Sequence, residues 1–252
     1  MSLSGRTILI TGAGRGLGRA FAEACAAAQA DRIVVADVNV EWGEATVAAL
    51  TKAGAKAVFL PVDLGDPKSI ESFAGKMAAR YGHLDGLVNN GAIATGIGGK
   101  TFEEIDIETW DRVMAVNVRG TWLMTRAMAP LLRKSERGGR IVNLASDTAL
   151  WGAPRLLHYV GSKGAVISMT RSLARELGPD GIAVNAIAPG LVMVEATEYV
   201  PQERKDLYVS GRAMQRTQMP EDVTGVVVFL LGPGAGFVTG QLVPVNGGFV
   251  FN

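Results

Sequence analysis

The chain has 252 residues, of which 48% are hydrophobic and 19% are charged, and this composition suits a fold that buries helices on both faces of a sheet. Lysine and arginine number 25 against 24 acidic residues, so the formal charge of +1 provides no broad basic surface for nucleic acid or anionic lipid. The sequence therefore predicts partners that are small molecules or further copies of the chain.

The cysteine content and the N-terminus indicate the compartment. The single cysteine, Cys25, cannot form an internal disulfide and lies in an alanine-rich helical stretch, which favours a buried thiol in a reducing environment. Met1-Ser2-Leu3 leads into a strand without a charged and apolar leader, and no apolar run reaches the ~18 residues that span a bilayer. We expect a cytoplasmic protein with no membrane segment and no metal site.

Short β-branched runs alternate with longer stretches of helical period along the whole chain. The predicted strands cover residues 7–11, 32–37, 57–63, 85–90, 139–146, 182–189 and 241–245. The predicted helices cover residues 16–30, 41–53, 67–81, 108–134, 156–178 and 220–231. The alternation predicts an α/β fold with a doubly wound, parallel, seven-stranded sheet. No linker divides the chain, so residues 1–252 are expected to form a single domain.

A glycine-rich turn follows the first predicted strand, in Thr11-Gly12-Ala13-Gly14-Arg15-Gly16-Leu17-Gly18. Its glycines allow the backbone to approach a pyrophosphate at the N-terminus of the next helix, where free N–H groups and the helix dipole attract an anion. The spacing departs from GxGxxG, because Leu17 stands in the place of the third glycine. We predict dinucleotide binding at this turn, with a purely structural glycine turn as the alternative.

Asp37 ends the second predicted strand, 19 residues after Gly18. A carboxylate there can accept both hydroxyls of an adenosine ribose and repels a 2′-phosphate, although a helix-capping Asp is the alternative. Arg15 favours the opposite cofactor, since a guanidinium can pair with a 2′-phosphate. The Coulomb cost of placing Asp37 beside a phosphate is the larger effect, so the sequence favours NAD(H) over NADP.

Tyr159 and Lys163 are four residues apart at the start of a predicted helix, so their side chains share one face. An ammonium beside a phenol favours the phenolate that takes a proton from an alcohol. Alone, such a pair is usually an exposed helix surface. Ser146 strengthens the functional interpretation, because it ends the fifth predicted strand at the carboxyl edge of the sheet, where open α/β folds bind ligands.

With these residues in place, the sequence resembles the short-chain dehydrogenase/reductase family from Thr11 to Gly248. The positions that carry the resemblance are the TGxxxGxG turn at residues 11–18, Asp63, Asn89-Asn90-Gly91-Ala92, Asn117, Ser146, Tyr159, Lys163 and Pro189-Gly190. The resemblance implies a Rossmann fold, with the cofactor half at about residues 1–150 and the catalytic and substrate half at about residues 151–252. It also implies a homotetramer that packs through the helices near residues 108–134 and 156–178.

The resemblance also implies a role for each matching residue. Tyr159 would be the general acid/base, Ser146 a hydrogen-bonding partner of the reacting oxygen, Lys163 a ligand of the nicotinamide ribose, and Asn117 the holder of a proton-relay water. The implied cofactor-binding residues are Gly12, Arg15, Gly16, Leu17, Gly18, Asp37, Asp63, Leu64, Asn89, Tyr159, Lys163, Pro189, Gly190 and Val192. Asp63 and Leu64 would contact the adenine, and Asn89 would line the ribose.

Three positions depart from the family pattern. In Asn89-Asn90-Gly91-Ala92 the glycine and alanine are in the less common order, Val194 replaces a threonine that commonly bonds the carboxamide, and Asn246 replaces an aspartate. None of these positions takes part in proton or hydride transfer.

The expected substrate is a secondary alcohol or ketone of apolar or aromatic character. The candidate pocket residues are Leu150, Trp151, Leu156, Met193 and Tyr199, and residues 191–212 form a candidate mobile lid. His158 is expected at the surface or an interface, and the apolar C-terminus, Gly248 to Asn252, is expected to dock on its own or a neighbouring subunit. The alternatives are an NADPH-dependent 3-oxoacyl-carrier-protein reductase and a non-catalytic NAD-binding regulator.

Overall fold

The structure, a computed structural model, describes residues 2–251. Its strands form one parallel sheet in the order β3-β2-β1-β4-β5-β6-β7. The strands are β1 (Thr7–Thr11), β2 (Arg32–Asp37), β3 (Ala57–Pro61), β4 (Gly86–Asn89), β5 (Arg140–Leu144), β6 (Ala183–Pro189) and β7 (Leu242–Val245). The predicted doubly wound sheet of seven strands is confirmed.

Helices cover both faces of this sheet. They are α1 (Gly16–Ala27), α2 (Val40–Lys52), α3 (Pro67–Arg80), α4 (Ile107–Met114), α5 (Thr121–Leu132), α6 (Thr148–Trp151), α7 (Leu157–Leu177), α8 (Gln202–Gly211) and α9 (Glu221–Leu231). Short 3₁₀ turns lie at Gly178–Asp180, Glu195–Thr197 and Pro233–Ala235.

Two predicted segments differ from the structure. The continuous helix predicted for residues 108–134 is interrupted by a π-helical turn, Ala115–Gly120, between α4 and α5. Residues 191–212, expected to be irregular, contain the 3₁₀ turn Glu195–Thr197 and helix α8. Helix α8 buries only Tyr208, so it lacks the apolar stripe by which a helix is recognised in a sequence.

The period-two alternation of the strands divides the core into two layers. In β1, Leu9 packs in the layer that contains Phe73 of α3 and Met124 of α5. Its neighbours Ile8 and Ile10 face the opposite layer, with α1 and α9. Every residue of β1 is buried, because helices cover both faces of this central strand. The carboxyl ends of the strands are thereby aligned at one edge, where the loops that follow them converge.

Leu3, near the N-terminus, and Cys25 lie in the core, and Phe249, near the C-terminus, packs on other aromatic residues. Leu3 and Cys25 are fully buried, and burial raises the pKa of the Cys25 thiol to about 12. At the other end, the Phe249 ring stacks on Tyr208 with centroids 4.5 Å apart and meets Trp151 edge-on at 5.5 Å. This part of the C-terminus docks on its own subunit, whereas Phe251 is exposed and Asn252 lies outside the described residues.

Across residues 2–251, no helix combines the length and the apolar character that crossing a bilayer requires. The same residues contain no group of three or more His, Cys, Asp or Glu side chains arranged to hold a metal ion.

Candidate active site

A cleft of about 1740 Å³ opens at the carboxyl ends of the strands, between the glycine-rich turn and α8. Most of the predicted site residues line this cleft. They are Gly12, Arg15, Gly16, Leu17, Gly18, Asp37, Asp63, Leu64, Ser146, Trp151, Leu156, Tyr159, Lys163, Pro189, Gly190, Val192 and Tyr199. The structure therefore brings residues that follow most of the strands, and residues of α7, to a single cavity.

Four further predicted residues lie outside the lining of the cleft: Asn89, Leu150, Met193 and Asn117, of which Asn117 is described below. The Asn89 side chain is buried and donates to Thr125 Oγ1 at 3.0 Å and to Asn143 Oδ1 at 2.9 Å, and its neighbour Asn90 faces the cleft instead. Leu150 packs against the small apolar cluster behind the cleft. The Met193 amide donates to the Gln218 carbonyl at 2.9 Å, which pairs this segment with the chain beyond α8.

The glycine-rich turn leaves the start of α1 free for an anion. Helix α1 has no side-chain cap, whereas the N-terminus of α2 is capped by Asn39, which accepts from the Trp42 amide. Asn90 Nδ2 donates to the carbonyls of Thr11 and Gly12 at 3.0 and 2.9 Å and so fixes the turn. Uncapped N–H groups at a helix start fit the pyrophosphate of a dinucleotide.

Asp37 lies at the end of β2 and faces the same cleft. It is 8% exposed, and its two oxygens accept hydrogen bonds from the amides of Gly14 at 2.8 Å and Asn39 at 2.9 Å. The guanidinium of Arg15 lies 4.0 Å from the ring centroid of Trp42, a cation–π contact that the sequence analysis did not foresee. The carboxylate is therefore fixed in place, while the nearby cation packs on an indole ring.

Ser146, Tyr159 and Lys163 lie together where β5 meets α7. Ser146 Oγ accepts from Thr148 Oγ1 at 2.9 Å, and Lys163 Nζ donates to the Leu144 carbonyl at 2.7 Å. Burial raises the pKa of Tyr159 to about 12, and the polar side chain of Ser146 opposes that rise. Burial likewise lowers the pKa of Lys163 to about 8.

These pKa values differ from the expectation that Lys163 by itself favours the phenolate. Lys163 Nζ lies 5.6 Å from the Tyr159 ring centroid; Lys163 is buried and Tyr159 is half-buried. Burial disfavours the charged form of both groups, so desolvation of the phenol outweighs the attraction of the ammonium. The protein groups hold Tyr159 as a neutral phenol, which is the form that can donate a proton.

Asn117 lies in the π-helical turn and joins two segments of the site. Its Oδ1 accepts from the Ile93 amide at 2.8 Å, and its Nδ2 donates to the Ile93 carbonyl and to Ser162 Oγ, both at 3.1 Å. Ser162 Oγ in turn donates to the Tyr159 carbonyl at 2.7 Å. The side chain therefore holds the loop after β4 against the first turns of α7.

The substrate end of the cleft lies beyond Ser146 and Tyr159. Trp151, Leu156 and Tyr199 line it, and Tyr199 Oη donates to the Ala94 carbonyl at 2.9 Å. Helix α8 contributes Arg204 and Tyr208, which sequence reasoning missed because α8 was not predicted.

Two positions that depart from the family pattern have local partners. Near Val194, the hydroxyl of Thr197 accepts from the Val194 amide at 3.0 Å and donates to the Val192 carbonyl at 2.7 Å. Asn246 donates to the Val250 carbonyl and accepts from the Gly248 amide, both at 3.1 Å. The first contact fixes the backbone beside the cleft, and the second fixes the C-terminal segment.

The prediction for His158 was wrong. Its side chain is 1% exposed instead of lying at the surface, because the segment that contains Ile97 lies against it. Burial lowers the pKa of the imidazole.

Comparison with known proteins gives concordant matches over nearly the whole chain. The family model described as "Enoyl-(Acyl carrier protein) reductase" matches residues 12–250. The chain is 38% identical to a sorbitol dehydrogenase of Cereibacter sphaeroides, with 98% of each chain covered. It is 32% identical to a 3-oxoacyl-[acyl-carrier-protein] reductase of Thermotoga maritima, covering 99% of this chain and 100% of that protein. The crystal structure of levodione reductase is similar with a TM-score of 0.90, at 30% identity and 98% coverage of both chains.

Proposed function

Because the chain belongs to the short-chain dehydrogenase/reductase family, an oxidoreductase family that acts on alcohol and ketone groups with a nicotinamide cofactor, we propose that it moves a hydride between NAD(H) and a secondary alcohol or ketone. The observation that carries this proposal is the placement of Ser146, Tyr159 and Lys163 together inside the cleft that contains the glycine-rich turn.

The roles of the protein groups follow from this arrangement. The nicotinamide supplies or accepts the hydride when it is bound. In the direction of ketone reduction, Tyr159 donates its phenolic proton to the substrate oxygen, and Ser146 donates a hydrogen bond to the same oxygen. In the direction of alcohol oxidation, Tyr159 takes the proton back. Burial keeps the phenol protonated near neutral pH, which suits the acid role.

Asp37 supports the choice of NAD(H) over NADP(H). Its carboxylate is anchored by two backbone amides at the edge of the cleft, so it cannot turn away from a 2′-phosphate without losing both hydrogen bonds. Arg15 packs on Trp42, and in that position its charge is engaged with an aromatic ring. Repulsion from Asp37 is therefore the dominant effect that we propose for cofactor choice.

Trp151, Leu156 and Tyr199 support an apolar or aromatic substrate, since they line the cleft beyond Ser146. We also propose that the protein acts in the cytoplasm, in keeping with its buried single thiol.

The proposed function is tested by measuring NADH and NADPH oxidation side by side with aryl ketones, cyclic ketones, sugars and a 3-oxoacyl thioester. We expect NADH to be preferred, an apolar ketone to be reduced, and Tyr159→Phe to lose at least about 100-fold in kcat while it still binds NADH. Tyr81→Phe removes the hydroxyl of a buried tyrosine outside the cleft and is the matched control.

Two results would replace this proposal. Preference for NADPH together with the thioester would establish the alternative, a 3-oxoacyl-carrier-protein reductase, for which the Thermotoga maritima relative and the loop position of Arg15 are the supporting observations. Normal NADH binding without turnover of any ketone would instead indicate a non-catalytic NAD-binding regulator.

A further inference from the structure

Asp147 is a buried carboxyl that proton transfer through Tyr159 does not use. It directly follows Ser146, is 0% exposed, and its amide donates to the Pro189 carbonyl at 3.0 Å. Burial raises the pKa of this carboxyl to about 7. Burying a carboxyl costs free energy unless its contacts compensate, so the contacts of Asp147 indicate what it does.

The main contact of Asp147 joins it to α8. Tyr208 Oη donates to Asp147 Oδ1 at 3.0 Å across 61 residues of chain. The other oxygen, Oδ2, lies beside Gly190, where a Cβ would come within 3.0 Å of it. The residue after the active-site serine is therefore packed between the chain that follows β6 and a helix that covers the cleft.

Helix α8 depends on Tyr208 for its attachment. Tyr208 is the one fully buried residue of this helix, and its ring stacks on Phe249 and meets Trp151 edge-on at 6.3 Å. Leu207 is exposed, and Arg204 is half-buried with its guanidinium 5.9 Å from the Trp151 ring. A helix with a single buried anchor opens at a low free-energy cost, so one hydrogen bond on that anchor has a large effect.

We propose that Asp147 is a positioning residue, whose hydrogen bond from Tyr208 holds α8 over the bound alcohol or ketone and whose ionisation loosens that helix. The identity of the bound molecule rests on the proposed function, whereas the contact between Asp147 and α8 is independent of it.

The direction of the pH effect follows from the burial of Asp147. Opening α8 exposes the carboxyl to water, and its pKa then falls toward the ordinary value. The closed form binds the proton more tightly than the open form, so closure is favoured at low pH and weakens as the pH rises through about 7. The other groups that face Asp147 are Tyr208, Arg212, Asn246, Arg204 and Tyr159. Burial is the largest effect on this pKa, and it outweighs the hydrogen bond from Tyr208 and the charges of Arg212 and Arg204, which all favour the carboxylate.

The test compares Asp147→Asn, Tyr208→Phe and the wild-type protein at about pH 6 and about pH 9. The Asp147→Asn variant keeps an acceptor for the Tyr208 hydroxyl without the charge, and the Tyr208→Phe variant keeps the ring packing without the hydroxyl. The first readout is hydrogen exchange of the amides of residues 202–211, corrected for the intrinsic rates, which needs no substrate. The second readout is the pair of values KM and kcat, measured separately for the ketone that is reduced fastest. Tyr81→Phe is again the control for loss of a buried hydroxyl.

In the wild type we expect the protection of the α8 amides against hydrogen exchange to fall about fivefold or more from the lower to the higher pH. KM should rise in parallel. Asp147→Asn should show no such fall. Tyr208→Phe should lose about fivefold in protection already at the lower pH, with KM rising in parallel.

Three outcomes would overturn the proposal: wild-type protection that is independent of pH, the wild-type pH response in Asp147→Asn, or wild-type protection in Tyr208→Phe. Absence of turnover with every ketone would count against the proposed function alone, since exchange still reports whether Asp147 controls α8.

Discussion

Gly18 shows how closely the turn before α1 is packed. A Cβ on Gly18 would overlap the carbonyl oxygen of Gly12, and that oxygen also accepts from Asn90. A methyl group there must therefore push apart two backbone segments that hold the start of α1, and neither segment can move like a flexible side chain. The glycine is required by the close approach of backbone to backbone.

We predict that Gly18→Ala lowers the free energy of unfolding by about 1–3 kcal/mol and weakens NADH binding at least about tenfold. The matched control is Gly225→Ala in α9, where a Cβ meets nothing within 4 Å and should stabilise the helix by up to ~1 kcal/mol. Urea denaturation and fluorescence titration with NADH measure the two effects. Equal behaviour of the two variants would show that the turn tolerates a side chain.

Residues of the site differ in how far their position and partners can be predicted from the neighbouring sequence. Tyr159 and Lys163 could be predicted because their partnership is local, four residues apart on one helix face. Asp147 could not, since its burial and its hydrogen bond depend on Tyr208, which is distant in sequence. Asn90, and not Asn89, faces the cleft, and the two differ only in which side of one strand end they occupy. No sequence pattern separates them.

At the level of elements, the π-helical turn Ala115–Gly120 is the clearest link between the fold and the candidate site. It lies between α4 and α5 and contains Asn117, whose side chain satisfies both backbone groups of Ile93. A π-helical turn adds a residue to the helix and changes the face that later side chains present, and such turns are frequent at functional sites. Helical periodicity over residues 108–134 gave no indication of this extra residue.

We predict that Asn117→Leu lowers the free energy of unfolding by about 1–2 kcal/mol, because the partly buried backbone amide and carbonyl of Ile93 lose their side-chain partner. It should also lower kcat, since the loop after β4 and the first turns of α7 lose their link. The control is Asn185→Leu in β6, which removes a buried amide that bonds the Val238 carbonyl outside the cleft. That variant should lose comparable stability with an unchanged kcat. A normal kcat in Asn117→Leu would confine Asn117 to a structural role.

The strands were the most predictable elements, and α8 was the least. Runs such as Ile33-Val34-Val35-Ala36 are fully buried and rich in β-branched residues, and both properties are visible in the sequence. Helix α8 has one buried position in ten residues, so its sequence carries no apolar stripe. Its conformation depends on docking Tyr208 between Trp151 and Phe249, residues that are brought together only by the folded chain.

At the scale of the whole molecule, an apolar surface lies on α4 and α5. Ile107 and Trp122 are 78% and 44% exposed, and they border a shallow depression together with Met169 of α7. A surface of this kind favours association, and the homotetramer implied by the family resemblance would use these helices. We propose this face as an interface between copies of the chain.

We predict that the double variant Ile107→Glu and Trp122→Glu forms smaller particles than the wild type, because buried glutamates would lose hydration at the interface. Ala48→Glu on the exposed side of α2 adds the same kind of charge elsewhere and should leave the assembly unchanged. Light scattering coupled to size exclusion gives the mass of each. Identical masses for the double variant and the wild type would place the interface on another surface.

The depth of Cys25 has a practical consequence. Its thiol is fully buried, and its pKa of about 12 keeps almost all of it in the unreactive thiol form at neutral pH. It is also the only cysteine in the sequence. A cysteine introduced at an exposed position of α8, such as Ser210, would therefore be the sole site that takes up a maleimide dye. Because the native cysteine would not be labelled, the helix could be followed by single-molecule fluorescence from one dye at a known position.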